Sequence, residues 1–528
     1  DVESDAHQLT FPGRVYGSPI SVIRTGAIRA AQTSNEARVQ LSIPDALDPE
    51  QTQLRVSIQP SIVSTALEAI PYLIEYPYGC MEQTMSRFMP AVAVRKTLHD
   101  LGMDLEQIAT MRRSGNLDHV PVSLRGIYRN HPVFDQGRLN DVIRVGLKRL
   151  LDGQHADGGW GWWPGGHRDA YITAYVLHGL WIAKQGGVEI ESSVLTRAHA
   201  WLTTQLSADP TSHRWSIHRQ AYMAYVVAET LELGPSARER LVAVIDEVYE
   251  RRDELSNYTR AQLALAAHLL GDAAKTEVLA RNMMSYIEID AANGSARYVD
   301  NHSHGWWWWY RDRIEETAWS IRALQAIAPQ HEVLPMLIKW LVNNRKGNAW
   351  HSTKATAFAI MAINEFATGS GELNPDYTIG VYVNGERKRS VRVTRETMFA
   401  LPNADLYFSG KDLPPGQHEI RIVREGQGTC YFTAHLEYFS KEDRIPAQGN
   451  EIAVKRTYWR LVETRQVRED GTTFQGWERR PIAEGEALSS GDLIEVELEV
   501  ESRNDYEYLC FEDPKPAGCE AVEVRSGF

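Results

Sequence analysis

The sequence predicts a multidomain protein of the α + β class, in which a helical body is inserted into one β-sandwich and a second sandwich follows. Three observations predict it. Period-two apolar alternation marks both ends of the chain, helical periodicity fills the stretch from about Ile62 to Phe366, and 13 of the 15 tryptophans lie between Trp160 and Trp350. Alternation of this kind belongs to half-buried strands and 3.6-residue periodicity to helices. At roughly 150 residues per domain, 528 residues allow three or four domains.

In chain order, residues 39–43 and 54–58 alternate as strands. Helical stretches follow over 138–151, 170–184, 217–232, 258–270, 315–327 and 353–366, separated by Gly, Pro and Asp-Gly breakers. Ala174, Ala221, Ala261, Ala318 and Ala357 open apolar helices at gaps of 47, 40, 57 and 39 residues, the length of a helical hairpin with its loop. Small residues at such places let helices approach closely. Hairpins of this length either stack in a line or close into a ring, and periodicity does not choose between the two. After Gly371, residues 377–383 lead into Asn384-Gly385, a hairpin signal. Strands at 418–423 and 430–436, a polar linker from Ser440 to Asn450 and a last strand at 493–498 complete the pattern.

The formal net charge is −13, from 56 basic and 69 acidic residues. That balance argues against a nucleic-acid partner, whose phosphates select a basic surface. No run of about 18 apolar residues occurs, so no membrane-spanning helix is expected. The chain opens Asp1-Val2-Glu3-Ser4 without Met or a leader and stops abruptly at Phe528. It reads as a piece of a longer chain whose targeting signal is lost. Four cysteines, Cys80, Cys430, Cys510 and Cys519, are too few for a disulfide framework. Their spacing leaves a Cys510–Cys519 pair open, and Cys430 reads as a small buried hydrophobe. His302 and His304 lack the Cys or carboxylate partners that would complete a metal site, so neither metal nor cofactor is expected. Trp306-Trp307-Trp308-Trp309-Tyr310 offers stacking faces for a sugar, but such a run is more often core at a hairpin junction.

The sharpest local signal is Tyr76-Pro77-Tyr78-Gly79-Cys80-Met81-Glu82-Gln83. Cys80 stands three residues before Gln83 at a helix start, and an i,i+3 spacing brings two side chains together. A thiol beside a carboxamide exchanges ammonia for sulfur and closes an internal thioester, with Gly79 permitting close approach of the backbone. On spacing alone, the plainer reading is a buried thiol with Gln83 capping the helix.

The seven residues Pro77 to Gln83 resemble, at every position, the thioester motif of the α2-macroglobulin and complement family, Pro-Tyr-Gly-Cys-x-Glu-Gln. Asp157-Gly158-Gly159-Trp160 with Thr173-Ala174-Tyr175-Val176 is similar to the second hairpin of the family's thioester domain. Glu316-Thr317-Ala318-Trp319 and Gly347 to Lys354 are similar to its last hairpins, and Phe511 to Gly518 to the start of the C-terminal sandwich. The short Trp-rich motifs resemble the bacterial branch, and the resemblance covers nearly the whole chain.

The resemblance implies a linker over 1–26, a CUB-like sandwich from 27–60 and 372–440, an α/α toroid thioester domain over 61–371, and a truncated macroglobulin-like sandwich over 445–528. It implies a C-terminal fragment of a monomeric protease trap that acts in the periplasm or outside the cell, with any lipid anchor on the missing N-terminal part. Cys80 and Gln83 would carry the cross-link, with Tyr78, Gly79 and Glu82 supporting it. Bait cleavage upstream would expose the thioester to a lysine amine of the protease. Tyr76, four residues before Cys80, falls where bacterial relatives place a shielding aromatic; core packing is the competing reading. His167 lies in the loop where some complement proteins carry an acyl-transfer histidine, but this loop is shorter, and a solvated histidine is the plainer reading. Two other functions compete. The same thioester would serve a surface tether or scaffold. A terpenoid-cyclase-like toroid enzyme would fit Gln154-x-x-x-Gly158-x-Trp160, but the Asp-rich acid clusters of those enzymes are missing.

Overall fold

The computed structural model describes residues 17–29, 34–62, 79–102, 105–113, 122, 136–207, 214–230, 232–290, 294–299, 312–345, 350–399, 405–442, 452–467, 473–502, 509–513, 515–516 and 518–522. It divides into two compact units, residues 1–446 and 447–528.

The first unit begins with β1 (Ser18–Ile28), β2 (Glu36–Ile43) and β3 (Leu47–Gln59). It ends with β6 (Asp376–Val383), β7 (Glu386–Thr394), β8 (Leu406–Ser409), β9 (Gly416–Gln427) and β10 (Cys430–Ser440). These early and late strands share two four-stranded antiparallel sheets, ordered β1-β10-β3-β8 and β2-β9-β6-β7. Leu54 faces Leu436, Val56 faces Ala434 and Ile58 faces Phe432 across the β3–β10 ladder, all buried. Such cross-strand apolar pairs fix register, because a one-residue slip would turn all of them to the other face. Asn384 and Gly385 both have positive φ, 52° and 86°, as the tight turn between β6 and β7 requires. Residues 18–26, expected in a linker, instead belong to β1, paired with β10 from Ser18 onward. Pro19 and Gly26 blur the strand signal there, and the half-buried Ile20 and Val22 carry it.

The described residues between β3 and β6 form the helical body. It comprises α1 (Met81–Leu101), α2 (Leu105–Arg113), α3 (Gln136–Asp152), α4 (Ala170–Gln185), α5 (Ser192–Gln205), α6 (Arg214–Thr230) and α7 (Pro235–Glu250). It continues with α8 (Asn257–Leu269), α9 (Ala273–Met284), the hairpin β4 (Ile287–Asp290) and β5 (Ser295–Tyr298), α10 (Arg313–Ile327), α11 (Leu334–Asn343) and α12 (Thr353–Gly369). Helices α1, α4, α6, α8, α10 and α12 pack each on the next, and α12 packs back on α1, so they form a closed inner ring. Helices α3, α5, α7, α9 and α11 lie outside it. The repeated alanines 174, 221, 261, 318 and 357 fall one on each inner helix after α1, and all are fully buried.

Trp319 fills the middle of the ring. Its indole meets His178, Tyr222, Tyr225, Tyr258 and Phe358 with ring centres 5.1 to 6.1 Å apart. Those partners come from α4, α6, α8 and α12, so one side chain ties four helices to α10. Gln154 and Trp160 brace the ring's edge: the Gln154 amide donates to the carbonyls of Gly158 and Val194, and the Trp160 indole to that of Leu150.

Both crossings between sandwich and ring meet at Glu372, which is buried. Its carboxyl accepts from the Ser61 hydroxyl at 3.3 Å and the Ile62 N–H at 3.1 Å on the way in, and pairs with the Tyr431 hydroxyl on β10. Among the described residues no helix is long and apolar enough to cross a membrane.

In the second unit, β12 (Thr473–Pro481), β11 (Ile452–Val467) and β13 (Leu493–Ser502) form one antiparallel sheet in that order. The described residues of this unit contain this single sheet rather than two layers. Cys510 and Cys519 are free thiols. Cys430 is fully buried in β10, and burial pushes its thiol up to about 12.

Burial likewise pushes the Glu372 carboxyl up to about 7, from an ordinary value near 4.5. A carboxyl that holds its proton more tightly when folded lets the unfolded chain ionise first. Stability therefore falls as pH rises from about 4.5 to 7. Denaturant unfolding across that window is expected to show a loss on the order of 3 kcal/mol from this group. Glu372→Gln is expected to flatten that part of the profile; an unchanged slope would show that other groups set it.

Candidate functional site

The site lies at the first turn of α1. Cys80 is its N-cap, with extended backbone at φ −66° and ψ 178°. Cys80 and Gln83 stand as N-cap and N3 of a capping box, an arrangement in which each side chain turns back to the other's backbone. The Cys80 N–H donates to Gln83 Oε1 at 3.2 Å. Thr84 closes the turn from the other side, with both its N–H and its hydroxyl reaching the Cys80 carbonyl at 3.0 Å.

Gly79 makes this fold-back possible. A Cβ there would lie 1.6 Å from Gln83 Oε1 and 2.5 Å from its Cδ. Cys80 is 9% exposed, whereas Gln83 is half-buried.

Glu82 points inward, where the Ser86 hydroxyl donates to it at 2.5 Å and meets the Tyr175 hydroxyl at 3.0 Å. Burial is the largest influence on this carboxyl and holds it above the usual range. The Ser86 hydrogen bond and the Lys354 ammonium oppose that shift, because both favour the charged form. The Cys80 thiol lies 4.0 Å from Glu82 Oε2. Lys354 itself is buried in an ion pair with Glu315 at 3.0 Å.

Two groups that sequence reasoning missed hold the site from outside α1. The Trp162 carbonyl accepts the Met81 N–H at 2.8 Å, which pins the 160–169 loop over the helix start. The Arg149 guanidinium, from the last turn of α3, donates to the Gly79 carbonyl. Arg149 is 70 residues from Gly79 in sequence, and no motif marks it. A cleft of about 210 Å³ opens between α1 and α3, lined in part by Gly79, Gln83 and Arg149.

The structure thus brings Gly79, Cys80, Glu82 and Gln83 together. His167 is exposed on the returning arm of the 160–169 loop and takes no part in the hydrogen bonds that fix the site. Tyr76 and Tyr78 lie outside the described residues, as do His302, His304 and the run Trp306 to Tyr310.

A family model described as the A-macroglobulin TED domain matches residues 55–366, more than half of the chain. The chain belongs to the A-macroglobulin family. Alpha-2-macroglobulin of Escherichia coli K12 is 24% identical over 530 residues, covering 97% of this chain and 26% of that protein. Alpha-2-macroglobulin of Thermotoga maritima is 25% identical over 311 residues, covering 59% of this chain and 15% of that protein. The chain therefore spans about a quarter or less of the length of these curated relatives. The solved structure of Escherichia coli alpha-2-macroglobulin activated by porcine elastase superposes with a TM-score of 0.51 at 18% identity, covering 92% of this chain and 37% of that one. That likeness is one of fold. The family match begins within β3 and ends within α12, so it takes in nearly the whole ring with Cys80 and Gln83 at its first helix.

Gly79→Ala is expected to expel the Gln83 carboxamide from its place over the backbone, because the new methyl occupies it. The cost is about 1–3 kcal/mol of overpacking, readable by denaturant unfolding. A variant as stable as the parent, with the Cys80–Gln83 contact kept in its crystal structure, would contradict this geometry.

Proposed function

We propose that this chain is the thioester-bearing part of a macroglobulin-type protease trap. One observation carries the proposal: a buried cysteine and a folded-back glutamine share the first turn of α1, with a glycine leaving room between them. The Cys80 sulfur attacks Gln83 Cδ, ammonia leaves, and an internal thioester remains. Bait cleavage elsewhere in the protein exposes it. A lysine amine of the attacking protease then takes the acyl group, and Cys80 departs as a thiol. Each molecule reacts once, so this is acylation without a regenerated catalyst, and the protein is an inhibitor rather than an enzyme.

The ring over residues 61–371 is, on this reading, an α/α toroid. It is inserted in a CUB-like sandwich built from the strands up to 60 and those in 372–440, and a macroglobulin-like domain over 445–528 follows. Tyr76 shields the bond in the resting state. His167 stands apart from the site's hydrogen bonds, which favours amines over hydroxyls as targets. The chain works in the periplasm or outside the cell, as a monomer, without a metal or cofactor.

Intact mass tests the bond directly. The native chain is expected to be one ammonia lighter than its sequence, with Cys80 closed to thiol reagents until methylamine adds to Gln83. Cys80→Ala is expected to take up no methylamine. Full Cys80 labelling with no missing ammonia would overturn the reading, and so would uptake surviving in Cys80→Ala.

Heat gives a second, site-specific outcome. In a thioester the Gln83 side-chain carbonyl is activated, and the Gln83 backbone nitrogen closes a five-membered ring on it. The doubly acylated nitrogen weakens the Glu82–Gln83 bond, and hydrolysis yields fragments 1–82 and 83–528, the latter starting with pyroglutamate. Boiling in denaturant is expected to give these fragments and methylamine pretreatment to suppress them. A sample lacking one ammonia that stays whole would contradict the Cys80–Gln83 assignment.

A further inference from the structure

The Gly79–Cys80 peptide is used at both ends. Its oxygen accepts from the Arg149 guanidinium. Its N–H, which points the opposite way across the planar peptide, donates to Gln83 Oε1 at 3.2 Å. A cation on a peptide oxygen draws electron density toward it and leaves the N–H a stronger donor. In the carboxamide, Oε1 stands in for the carbonyl oxygen of a thioester.

The same guanidinium also faces open space. Arg149 and Gln83 line the α1–α3 cleft together with Phe88, Val142 and Val145, whereas Cys80 does not line it. Val145 is 55% exposed, so the cleft opens to solvent along that edge. Arg87, Arg149 and Asp141 are its charged walls. Asp141 is also held by Arg144 at 3.0 Å. The Arg149 cation beside Gln83 favours the neutral, nucleophilic form of an arriving amine over its ammonium.

We propose that the nucleophile reaches the Gln83 carbonyl through this cleft and that Arg149 is a positioning residue for the acyl transfer. The proposal rests on the thioester reading of Cys80 and Gln83. Attack of the amine nitrogen on Cδ pushes the carbonyl π electrons onto Oε1. The Cys80 N–H, at the amino end of α1 and polarised by Arg149, meets that charge. When the tetrahedral centre collapses, the carbon–sulfur bond breaks and its electron pair leaves on the Cys80 sulfur. The proton released by the amine nitrogen ends on that sulfur, so the products are an amide and a free thiol. Arg149 touches none of the reacting atoms; it acts through the peptide.

The test uses the full chain with Arg149→Gln, Arg149→Lys and Val145→Trp. Intact mass is read first, then the uptake rates of methylamine and of Nα-acetyl-lysine methylamide, with a melting curve for each variant. Arg149→Gln is expected to slow methylamine uptake at least about tenfold, by comparison with the roughly 10²–10³ for loss of a direct oxyanion donor. Arg149→Lys is expected to recover most of the rate. Val145→Trp is expected to slow the lysine derivative several-fold more than methylamine.

A wild-type rate in Arg149→Gln overturns the positioning role. So does an Arg149→Lys variant as slow as Arg149→Gln when both keep the parent's melting temperature, since a retained cation that restores no rate is not acting by polarising the peptide. Equal slowing of both amines by Val145→Trp overturns the route. A parent chain without the ammonia deficit overturns the thioester reading and this proposal with it. A parent with the deficit and unaffected variants overturns this proposal alone.

Discussion

The packing of α12 against α1 closes the helical ring, and the rest of the first unit is arranged to make that contact possible. The helical body leaves the sandwich after β3 and returns before β6, and both crossings meet at the Glu372 carboxyl. An insertion with its ends held together has to be a closed figure. The ring satisfies that constraint with hairpins whose inner helices converge on Trp319. Trp319, His178, Tyr222, Tyr258 and Phe358 are all buried, and they replace an empty lumen by a packed core. Interiors at crystal-like density have low compressibility and transmit strain. A helix in this ring is therefore held as a unit.

The site uses that rigidity. Helix α1 is gripped by α12 on one side and α4 on the other, and α3 lies across its outer face. Its amino end consequently stays fixed while side chains from three directions address it. Trp162 holds the Met81 N–H, Arg149 holds the Gly79 carbonyl, and Ser86 with Tyr175 holds Glu82. A free helix start would leave these groups to water. Here they are committed, and Gln83 is left with one place to go, back over Gly79.

Much of this was legible in the sequence, for reasons that differ by element. Strands β2, β3, β6, β9 and β10 alternate because one face of each is buried, and Asn384-Gly385 signals its own turn. The recurring alanines marked the inner helices because each sits fully buried on a helix that packs against its ring neighbours. The outer helices α5, α7 and α9 were missed because each buries only a few residues on one face, and the ten-residue α11 because a short apolar run does not separate helix from strand. Ring closure was not legible, since α1 and α12 meet across more than 250 residues of sequence and periodicity is a local signal. Cys80, Glu82 and Gln83 were readable because their chemistry is local to one helical turn. Arg149 was not, because its role comes from the crossing of two helices rather than from a spacing along one.

The partition of exposure at the site bears on its proposed chemistry. Cys80 is buried and lies away from the cleft, whereas Gln83 is half-buried and borders it. In an acyl transfer the leaving group needs no access, while the carbonyl carbon must be reached. A route to that carbon is also a route for water, so steric exclusion at the cleft cannot be the basis of selectivity between water and amines. What remains is the difference between the nucleophiles. Water is a weak base and gains little from a field that holds amines neutral. On the proposed chemistry a lysine amine would gain its reactive form, and its methylene chain would have Phe88, Val142 and Val145 to pack against. On the proposed reading, the cleft's charge and apolar wall would discriminate by chemistry where its width does not, and protection of a thioester from slow hydrolysis would fall to whatever covers the site.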